Sequence, residues 1–473
     1  MQYPTLLEYM KAIQDAGNNL DKLSHLSVVL DGHGEPYHIS GDSSVVFKMQ
    51  DKTTGKCYAL KCFTKAQKGC ADASSNSSSM KYLEKELLVL SQGKEEKYPV
   101  LLMDWVDGDS LGASQLKVED MLTEATKAEL NEAITDEFSV KYSKDGRKLL
   151  KVPQKLKGTY SIKEGIKIIC DRAFEDCKSL RSLVIPNSVT SIGESAFEGC
   201  SSLKNIVLPN SITSIGFCVF QHCRSLKSLV IPDSVTSIDT LAFCYCSSLK
   251  SFVIPDGVTS IGDGAFCTCE SLESLVIPGG VTSIKKMAFS GCKSLKSIVI
   301  PDGVTSIGSG AFSGCSSLKS IVIPDSVTCI GNRAFEYCFS LNSLVLSKCL
   351  ISIGDWAFNM AESLESLVIP DSVTSIGDYA FSGCRSLKSL VISNSVTHIA
   401  VGAFLSCTSL SSVVIPDGVT SIGEGAFIGC ESLKSIVIPD GVVSIEKDAF
   451  RDCNFPNDFK QKLISRFGDK IFG

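Results

Sequence analysis

Cysteine is the residue type whose number and spacing could support chemistry in this 473-residue chain, because 21 cysteines and only five scattered histidines are present. Twelve of the cysteines, from Cys177 to Cys453, share one position in a pattern with a period of 23 residues. Such thiols serve proteins as metal ligands, disulfide partners or small buried hydrophobes. A one-dimensional stack gives each thiol two equivalent neighbours and no unique partner, so the row predicts reduced thiols inside a core.

A second arrangement of cysteines breaks this uniformity at one place. Cys244 and Cys246 are followed 23 residues later by Cys267 and Cys269, so four sulfurs could come together from consecutive repeats. Zinc sites favour wider spacings than a single intervening residue. We therefore predict no metal site and no cofactor, and we expect Cys244 and Cys267 to be surface thiols open to oxidation.

The element that must position these cysteines is an internal repeat. Phenylalanine recurs every 23 residues at thirteen positions from Phe174 to Phe450, and all but one of these residues follow alanine. This period falls within the leucine-rich repeat range of about 20–29 residues. In the first full repeat, Leu183 and Ile185 alternate with outward residues as in a strand, and Pro186 ends the strand.

One repeat cannot bury its apolar residues alone, so neighbouring repeats must stack into a solenoid. A second apolar set closes each coil, and in the first full repeat it comprises Val189, Ile192, Ala196 and Phe197. Twelve strands at about 4.8 Å spacing predict a parallel sheet roughly 55 Å long. Terminal caps are predicted as a hairpin over residues 138–158 and an amphipathic helix over residues 454–473.

The repeat resembles the BspA-like leucine-rich repeat family through the pattern IGxxAFxxCxSLxSLxIPxxVTSI over residues 159–453. The resemblance implies a solenoid that binds macromolecular partners, often on cell surfaces, and it implies no catalysis.

The outward positions of the predicted strands form three rows. Valine occupies one position in all twelve repeats, serine precedes the inward residue in eleven of them, and aspartate often follows the strand. The residue after the first leucine is mostly basic. The predicted partner-binding face comprises Arg181, Lys204, Lys227, Lys250, Lys296, Lys319, Lys388 and Lys434 with Val230, Val253 and Val299.

Two interpretations of this face remain open from the sequence. The rows form a broad docking surface, or they follow from duplication of a unit in which lysine and serine serve solubility and valine serves strand propensity. Their uniformity argues against a small-molecule pocket, which needs a few distinct convergent groups. The repeat at residues 339–361 departs most from the pattern. It predicts a binding hot spot at Trp356, and the alternative is that this copy has drifted in sequence.

The N-terminal third has no 23-residue period. Residues 40–63 and 99–108 contain strand-like segments that resemble the phosphate-loop and hinge regions of a protein-kinase N-lobe. Gly41 and Lys61 stand where that resemblance places nucleotide contacts, but the other loop glycines, the catalytic-loop motif and the magnesium ligand are missing. The resemblance over residues 38–111 therefore implies a degenerate, non-catalytic domain, with weak nucleotide binding as the alternative.

The predicted fold is thus a leucine-rich-repeat solenoid preceded by a small α+β domain. Residues 1–112 form the kinase-like domain, 113–137 an acidic helical linker, 138–158 the N-terminal cap, 159–453 the solenoid and 454–473 the C-terminal cap. Residues 1–137 carry a net charge of −8 and the rest of the chain +2.

These features predict a non-enzymatic scaffold that binds a protein or another macromolecule. The net charge of −6 disfavours nucleic acid as the partner, and the short apolar runs predict no membrane span. The N-terminal segment lacks a signal-peptide pattern, which predicts a cytoplasmic protein. The alternatives are a nucleotide-binding pseudokinase with a recruiting solenoid and a surface adhesin exported by another route.

Overall fold

A computed structural model describes residues 26–28, 38–40, 44–52, 57–63, 80–91, 94–104 and 123–473 of the chain. The polypeptide divides into two compact units, Met1–Ala133 and Ile134–Gly473. The repeats lie entirely within the second unit.

The first unit contains an antiparallel sheet followed by a short helix, α1 (Lys127–Asn131). The sheet has the order β1-β3-β4-β6-β5, and β2 pairs with β3. The strands paired as predicted include β3 and β4, where Val46 lies opposite Lys61. The strands are β1 (Leu26–Val28), β2 (His38–Ser40), β3 (Ser44–Asp51), β4 (Cys57–Phe63), β5 (Met80–Ser91) and β6 (Lys94–Asp104).

The second unit begins with an antiparallel cap formed by β7 (Ile134–Thr135), β8 (Lys141–Tyr142) and β9 (Lys148–Lys151). The turn at Asp145 and Gly146 joins β8 to β9, within the hairpin predicted over residues 138–158. The structure differs from the helical linker predicted over residues 113–137. Within the described part of this segment only α1 is helical, and its last residues form β7, which pairs with β8.

Two parallel ladders of short strands run along the solenoid, and from the first full repeat onward paired residues are 23 positions apart. From β14 onward the strands of the outer ladder have three residues with an inward central side chain. The strands of the inner ladder have two residues, most of them Ser-Ile. The outer ladder contains β10 (Lys157–Ser161), β12 (Ser179–Val184), β14 (Asn205–Val207), β18 (Ser274–Val276), β20 (Ser297–Val299), β22 (Ser320–Val322), β24 (Ser343–Val345), β26 (Ser366–Val368), β28 (Ser389–Val391), β30 (Ser412–Val414) and β32 (Ser435–Val437). The inner ladder contains β11 (Ile168–Ile169), β13 (Ser191–Ile192), β15 (Ser214–Ile215), β16 (Ser237–Ile238), β17 (Ser260–Ile261), β19 (Ser283–Ile284), β21 (Ser306–Ile307), β23 (Cys329–Ile330), β25 (Ser352–Ile353), β27 (Ser375–Ile376), β29 (His398–Ile399), β31 (Ser421–Ile422) and β33 (Ser444–Ile445).

The single continuous sheet of twelve strands expected from the sequence is therefore wrong in two respects. Most repeats contribute two strands, and both ladders are interrupted. In the outer ladder only the bridges Val230–Val253 and Ser251–Ser274 lie between β14 and β18, and no ladder pairing joins β20 to β22, β24 to β26 or β28 to β30. Strands that proline ends after three residues have few ladder hydrogen bonds, so small displacements are enough to interrupt the pairing.

The core of the solenoid is a column of stacked phenylalanine rings. The thirteen repeat phenylalanines, Phe174 to Phe450, are fully buried. Ring centroids of consecutive repeats lie 5.1–5.8 Å apart. Tyr160 packs against one end of the column and Phe455 and Phe472 against the other. Of the predicted second apolar set, Val189, Ala196 and Phe197 lie in this core and Ile192 is partly buried against it.

The turn around each phenylalanine contains two residues in the left-handed backbone region. They lie two positions before and two positions after the phenylalanine in every repeat from Arg172 to Asp452, with φ between 53° and 74°. Glycine takes this conformation without strain, whereas another L-residue pays about 1–2 kcal/mol. Seventeen of these 26 residues are not glycine, so the repeat stores strain that the stacked core offsets.

Met287→Gly is expected to raise the free energy of unfolding by about 0.5–1 kcal/mol, because strain relief exceeds the added entropy of the unfolded chain. Met287 is exposed and has φ 54°, so little packing is lost. The matched reverse change is Gly310→Ala one repeat later, where φ is 62°. It should lower stability by a similar amount in urea unfolding. Equal and same-signed effects of the two changes would contradict the strain argument.

The chain after the last repeat folds into helix α2 (Asn457–Phe467) and a 3-10 helix (Asp469–Phe472). The predicted apolar face is confirmed, with Leu463 buried and Phe459 and Phe467 partly buried against the core. The 3-10 helix takes the place of a further repeat. The backbone N–H of Phe450 donates to the carbonyl of Ile471, as the N–H of Phe427 donates to the carbonyl of Ala449 in the next repeat.

Candidate protein-interaction surface

The strand face is the solvent-exposed side of the outer ladder. Its central side chains point into the core, so the two flanking residues of each strand point outward. The valine row is exposed in all twelve repeats, with relative exposures of 52–79% from Val184 to Val437. Valine that stays this exposed in every copy leaves a continuous apolar stripe on the molecule.

The predicted basic row lies beside this stripe, and all eight of its members are exposed. Their role in binding stays a prediction. The structure shows in addition which of them already have partners. Lys250 and Lys296 both bind the carboxylate of Glu273, at 3.0 and 2.8 Å. Hydrogen bonds from Lys296 and Lys250 hold the pKa of Glu273 below its usual value.

The same arrangement recurs where Lys388 binds Glu365 at 3.0 Å. From the sequence, both glutamates read as interruptions of a basic row. In the folded chain they neutralise their neighbours, because residues 23 positions apart lie side by side on adjacent repeats. The signal that identifies such pairs is opposite charge at this spacing.

The first repeats differ from the rest of the row. Arg181, Lys204 and Lys227 lie on three consecutive repeats, and among residues 123–473 no carboxylate pairs with their side chains. Like charges on adjacent strands repel one another. This group, which we name the N-terminal basic row, lies beside the exposed valines Val184, Val207 and Val230. It combines uncompensated positive charge with apolar surface.

Trp356 lies away from the strand face, in the turn after β25. Its ring stacks on Tyr379 of the next repeat at 4.2 Å, and Arg333 of the previous repeat lies 5.6 Å from its centroid. All three have left-handed φ values. The stack was not predicted, although the three residues are spaced by 23. Because Tyr379 and Arg333 lie against the two faces of the indole ring, only the edge of the ring can contact a partner.

The twelve repeat cysteines are buried free thiols that form a second column beside the phenylalanines. From Cys200 onward each thiol donates to the carbonyl of the phenylalanine one repeat earlier, at 3.1–3.6 Å. Burial raises the pKa of Cys177 to about 11 and that of Cys338 to about 12. They are packing groups.

The prediction that Cys244 and Cys267 are surface thiols is wrong, because both side chains are buried. The position after each repeat phenylalanine is buried or half-buried from Glu175 to Ile428, since it lies inside the tight turn. Cys246 and Cys269 instead donate to Phe220 and Phe243. The four sulfurs are thus directed to different partners, and no cluster of three metal-ligating side chains occurs in the described ranges.

The structure describes only part of the predicted nucleotide site at Gly41 and Lys61. Lys61 lies on β4, with its backbone opposite Val46 of β3 and Leu101 of β6. Gly41 and the side chain of Lys61 lie outside what the structure describes. No helix in the described part of the chain has the length and hydropathy of a membrane span.

Comparison with known proteins assigns the repeats. Residues 167–296, 286–409 and 398–473 match the model of the BspA type leucine rich repeat region, in six copies. The match starts at residue 167 and gives no support to the resemblance of residues 38–111 to a kinase N-lobe. No curated protein matches the chain.

Several solved structures are similar to the chain. A leucine-rich repeat protein from Bacteroides ovatus is 29% identical, with 72% of this chain and 96% of that one covered and a TM-score of 0.49. A leucine rich cell surface protein from Faecalibacterium prausnitzii is also 29% identical, with 71% and 98% covered and a TM-score of 0.43. The pneumococcal vaccine antigen PcpA is 17% identical, with 72% and 97% covered and a TM-score of 0.40.

Proposed function

The chain belongs to the BspA-type leucine-rich repeat family, and from this premise we propose that it is a non-enzymatic scaffold that binds a protein partner on the strand face of its solenoid. The family is generally non-enzymatic, and its repeat proteins generally bind protein partners. The part specific to this chain is the location of the site.

The observation that carries the proposal is the N-terminal basic row beside the exposed valines. Interfaces combine an apolar centre with charged groups that select the partner and speed association. Arg181, Lys204 and Lys227 supply uncompensated positive charge, and Val207 and Val230 are exposed on the same repeats. A partner with an acidic and apolar surface relieves the repulsion between the cations and covers the valines.

Reversing two charges in this row should weaken binding. In Lys204→Glu/Lys227→Glu the attraction to an acidic partner becomes repulsion, so affinity should fall roughly tenfold or more. Proteins retained by the immobilised full chain would be identified by mass spectrometry, and their affinities measured with purified components. The affinity of the unmodified chain should also weaken with rising salt.

The matched control is Lys285→Glu/Lys286→Glu, which changes the net charge equally at exposed turn residues away from the strand face. It should leave binding unchanged. Equal loss in both variants would indicate a nonspecific charge effect, and unchanged binding in the first would place the interface elsewhere. Lys250 and Lys296 are unsuitable for this test because their reversal also releases Glu273.

Nucleotide binding and cellular location require separate tests. Nucleotide binding at Gly41 and Lys61 stays a prediction, and calorimetric titration of the full chain with ATP and magnesium tests it. The cytoplasmic location also stays a prediction, with the cell surface as the alternative. Fractionation of cells that produce the protein separates these two.

A further inference from the structure

Cys244 and Cys267 occupy the same position on consecutive repeats, directly after the buried phenylalanines Phe243 and Phe266. The backbone joins them closely, because the N–H of Tyr245 donates to the carbonyl of Cys267 at 2.8 Å. The rings of Phe243 and Phe266, one residue earlier, have centroids 5.3 Å apart, which indicates how closely the two repeats lie here. Disulfides span Cα separations of about 4.4–6.8 Å, so this spacing suits a bridge without rearrangement of the repeats.

Side chains at this position meet their counterparts on the next repeat. Further along the solenoid, Asn359 donates to the carboxylate of Glu336 at 3.3 Å across one repeat. Cys244 and Cys267 occupy this same position one repeat apart. The two thiols lie close enough to shift each other's pKa, which is raised for Cys244 and lowered for Cys267.

This pair is isolated, unlike the cysteine column. The corresponding residues on the flanking repeats are Gln221 and Ser290, so at this position each thiol has one cysteine on an adjacent repeat. Column thiols such as Cys246 have cysteine on both sides and donate to a backbone carbonyl instead. Apart from the column, the described residues contain no other two cysteines at one position of consecutive repeats.

We propose that Cys244 and Cys267 form an oxidation site at which hydrogen peroxide creates a disulfide between neighbouring repeats. The site is close to the surface, since Cys267 retains 8% exposure and Cys244 3%, whereas the column cysteines Cys246 and Cys269 have 0%. Peroxide is small enough to reach a thiol just below the surface. The inference is independent of the strand face and of any partner.

Exposure and a neighbouring hydroxyl identify the attacking sulfur. Cys267 is the more exposed thiol of the pair, and the Thr268 hydroxyl lies 3.5 Å from its sulfur. The adjacent Cys244 thiol and this hydroxyl lower the pKa of the Cys267 thiol, whereas burial raises the pKa of Cys246 and Cys269. The thiolate is the reactive form of cysteine, so Cys267 reacts first.

The reaction balances in two steps. The Cys267 thiolate attacks one peroxide oxygen, the O–O bond breaks, hydroxide leaves and a sulfenic acid forms. The Cys244 sulfur then attacks the sulfenic sulfur, the S–O bond breaks and water leaves after protonation. Two thiols are oxidised by two electrons and one peroxide is reduced, with two molecules of water as the other product.

The test is oxidation of the folded full chain with hydrogen peroxide, followed by non-reducing proteolysis and mass spectrometry. We expect one major cross-linked peptide pair, joining Cys244 to Cys267, and its disappearance on reduction. Cys329 and Cys349 are exposed, so their oxidation serves as the internal control that peroxide acted. Oxidation of these two without the cross-link would overturn the proposal.

Single variants separate the two steps. In Cys244→Ser the Cys267 sulfenic acid cannot be resolved and should be trapped by dimedone, whereas in Cys267→Ser labelling of Cys244 should be much weaker. The column variant Cys292→Ser should keep the cross-link. Equal dimedone labelling in both single variants, or loss of the cross-link in Cys292→Ser at unchanged circular dichroism, would contradict the assigned roles.

Discussion

Phe312→Ala is expected to lower the free energy of unfolding by about 3–5 kcal/mol, the usual cost of removing a buried phenylalanine ring. Phe312 has no exposed surface and stacks between Phe289 at 5.4 Å and Phe335 at 5.1 Å. Its removal therefore opens a cavity and breaks the column at two interfaces. Repeat stability depends on contacts between neighbours, so the effect should spread to both adjacent repeats.

The matched control for this change is Phe217→Ala, which removes the same side chain from a turn position that is 39% exposed. Its cost should be well below that of Phe312→Ala. Urea unfolding followed by circular dichroism measures both, and midpoints should be compared because long repeat arrays can unfold in more than one step. Equal midpoints for the two variants would show that the column is not the main stabilising element.

Ile471→Ala is expected to cost about 2–5 kcal/mol, although Ile471 lies outside the repeats. The residue is fully buried, and its carbonyl accepts the Phe450 hydrogen bond at 2.8 Å. The neighbouring Lys470 carbonyl accepts from Asp448 in the same way. The 3-10 helix thus covers the last ring of the column, and weakening it exposes the apolar end of the stack to water.

Val443→Ala provides the control for the cap, because Val443 is a β-branched residue near the same end and is 81% exposed. It should change stability by less than about 0.5 kcal/mol. Limited proteolysis gives a second measurement, since Ile471→Ala should speed cleavage within the last repeats and Val443→Ala should not. Unchanged cleavage in both would mean that the terminal residues do not act as a cap.

The sequence also determined much of the candidate site. The exact recurrence of one strand pattern specifies which side chain of each strand faces outward, so the exposure of the valine and lysine rows could be predicted from spacing alone. Ion pairs between side chains of adjacent repeats could not be predicted in this way, because they depend on side-chain direction as well as on position. Glu273 is the example, since it contacts Lys250 and Lys296 across the repeats on either side.

By itself, the sequence determined the solenoid, its 23-residue register, the buried phenylalanine and cysteine columns and the apolar cap helix. Each follows from hydrophobic residues at a fixed interval, a pattern that only stacked repeats can bury. The tertiary structure alone decided the second strand of each repeat, the interruption of the outer ladder and the burial of Cys244 and Cys267. The physical reason is that these features depend on how neighbouring repeats pack side by side, which the spacing of hydrophobic residues does not specify.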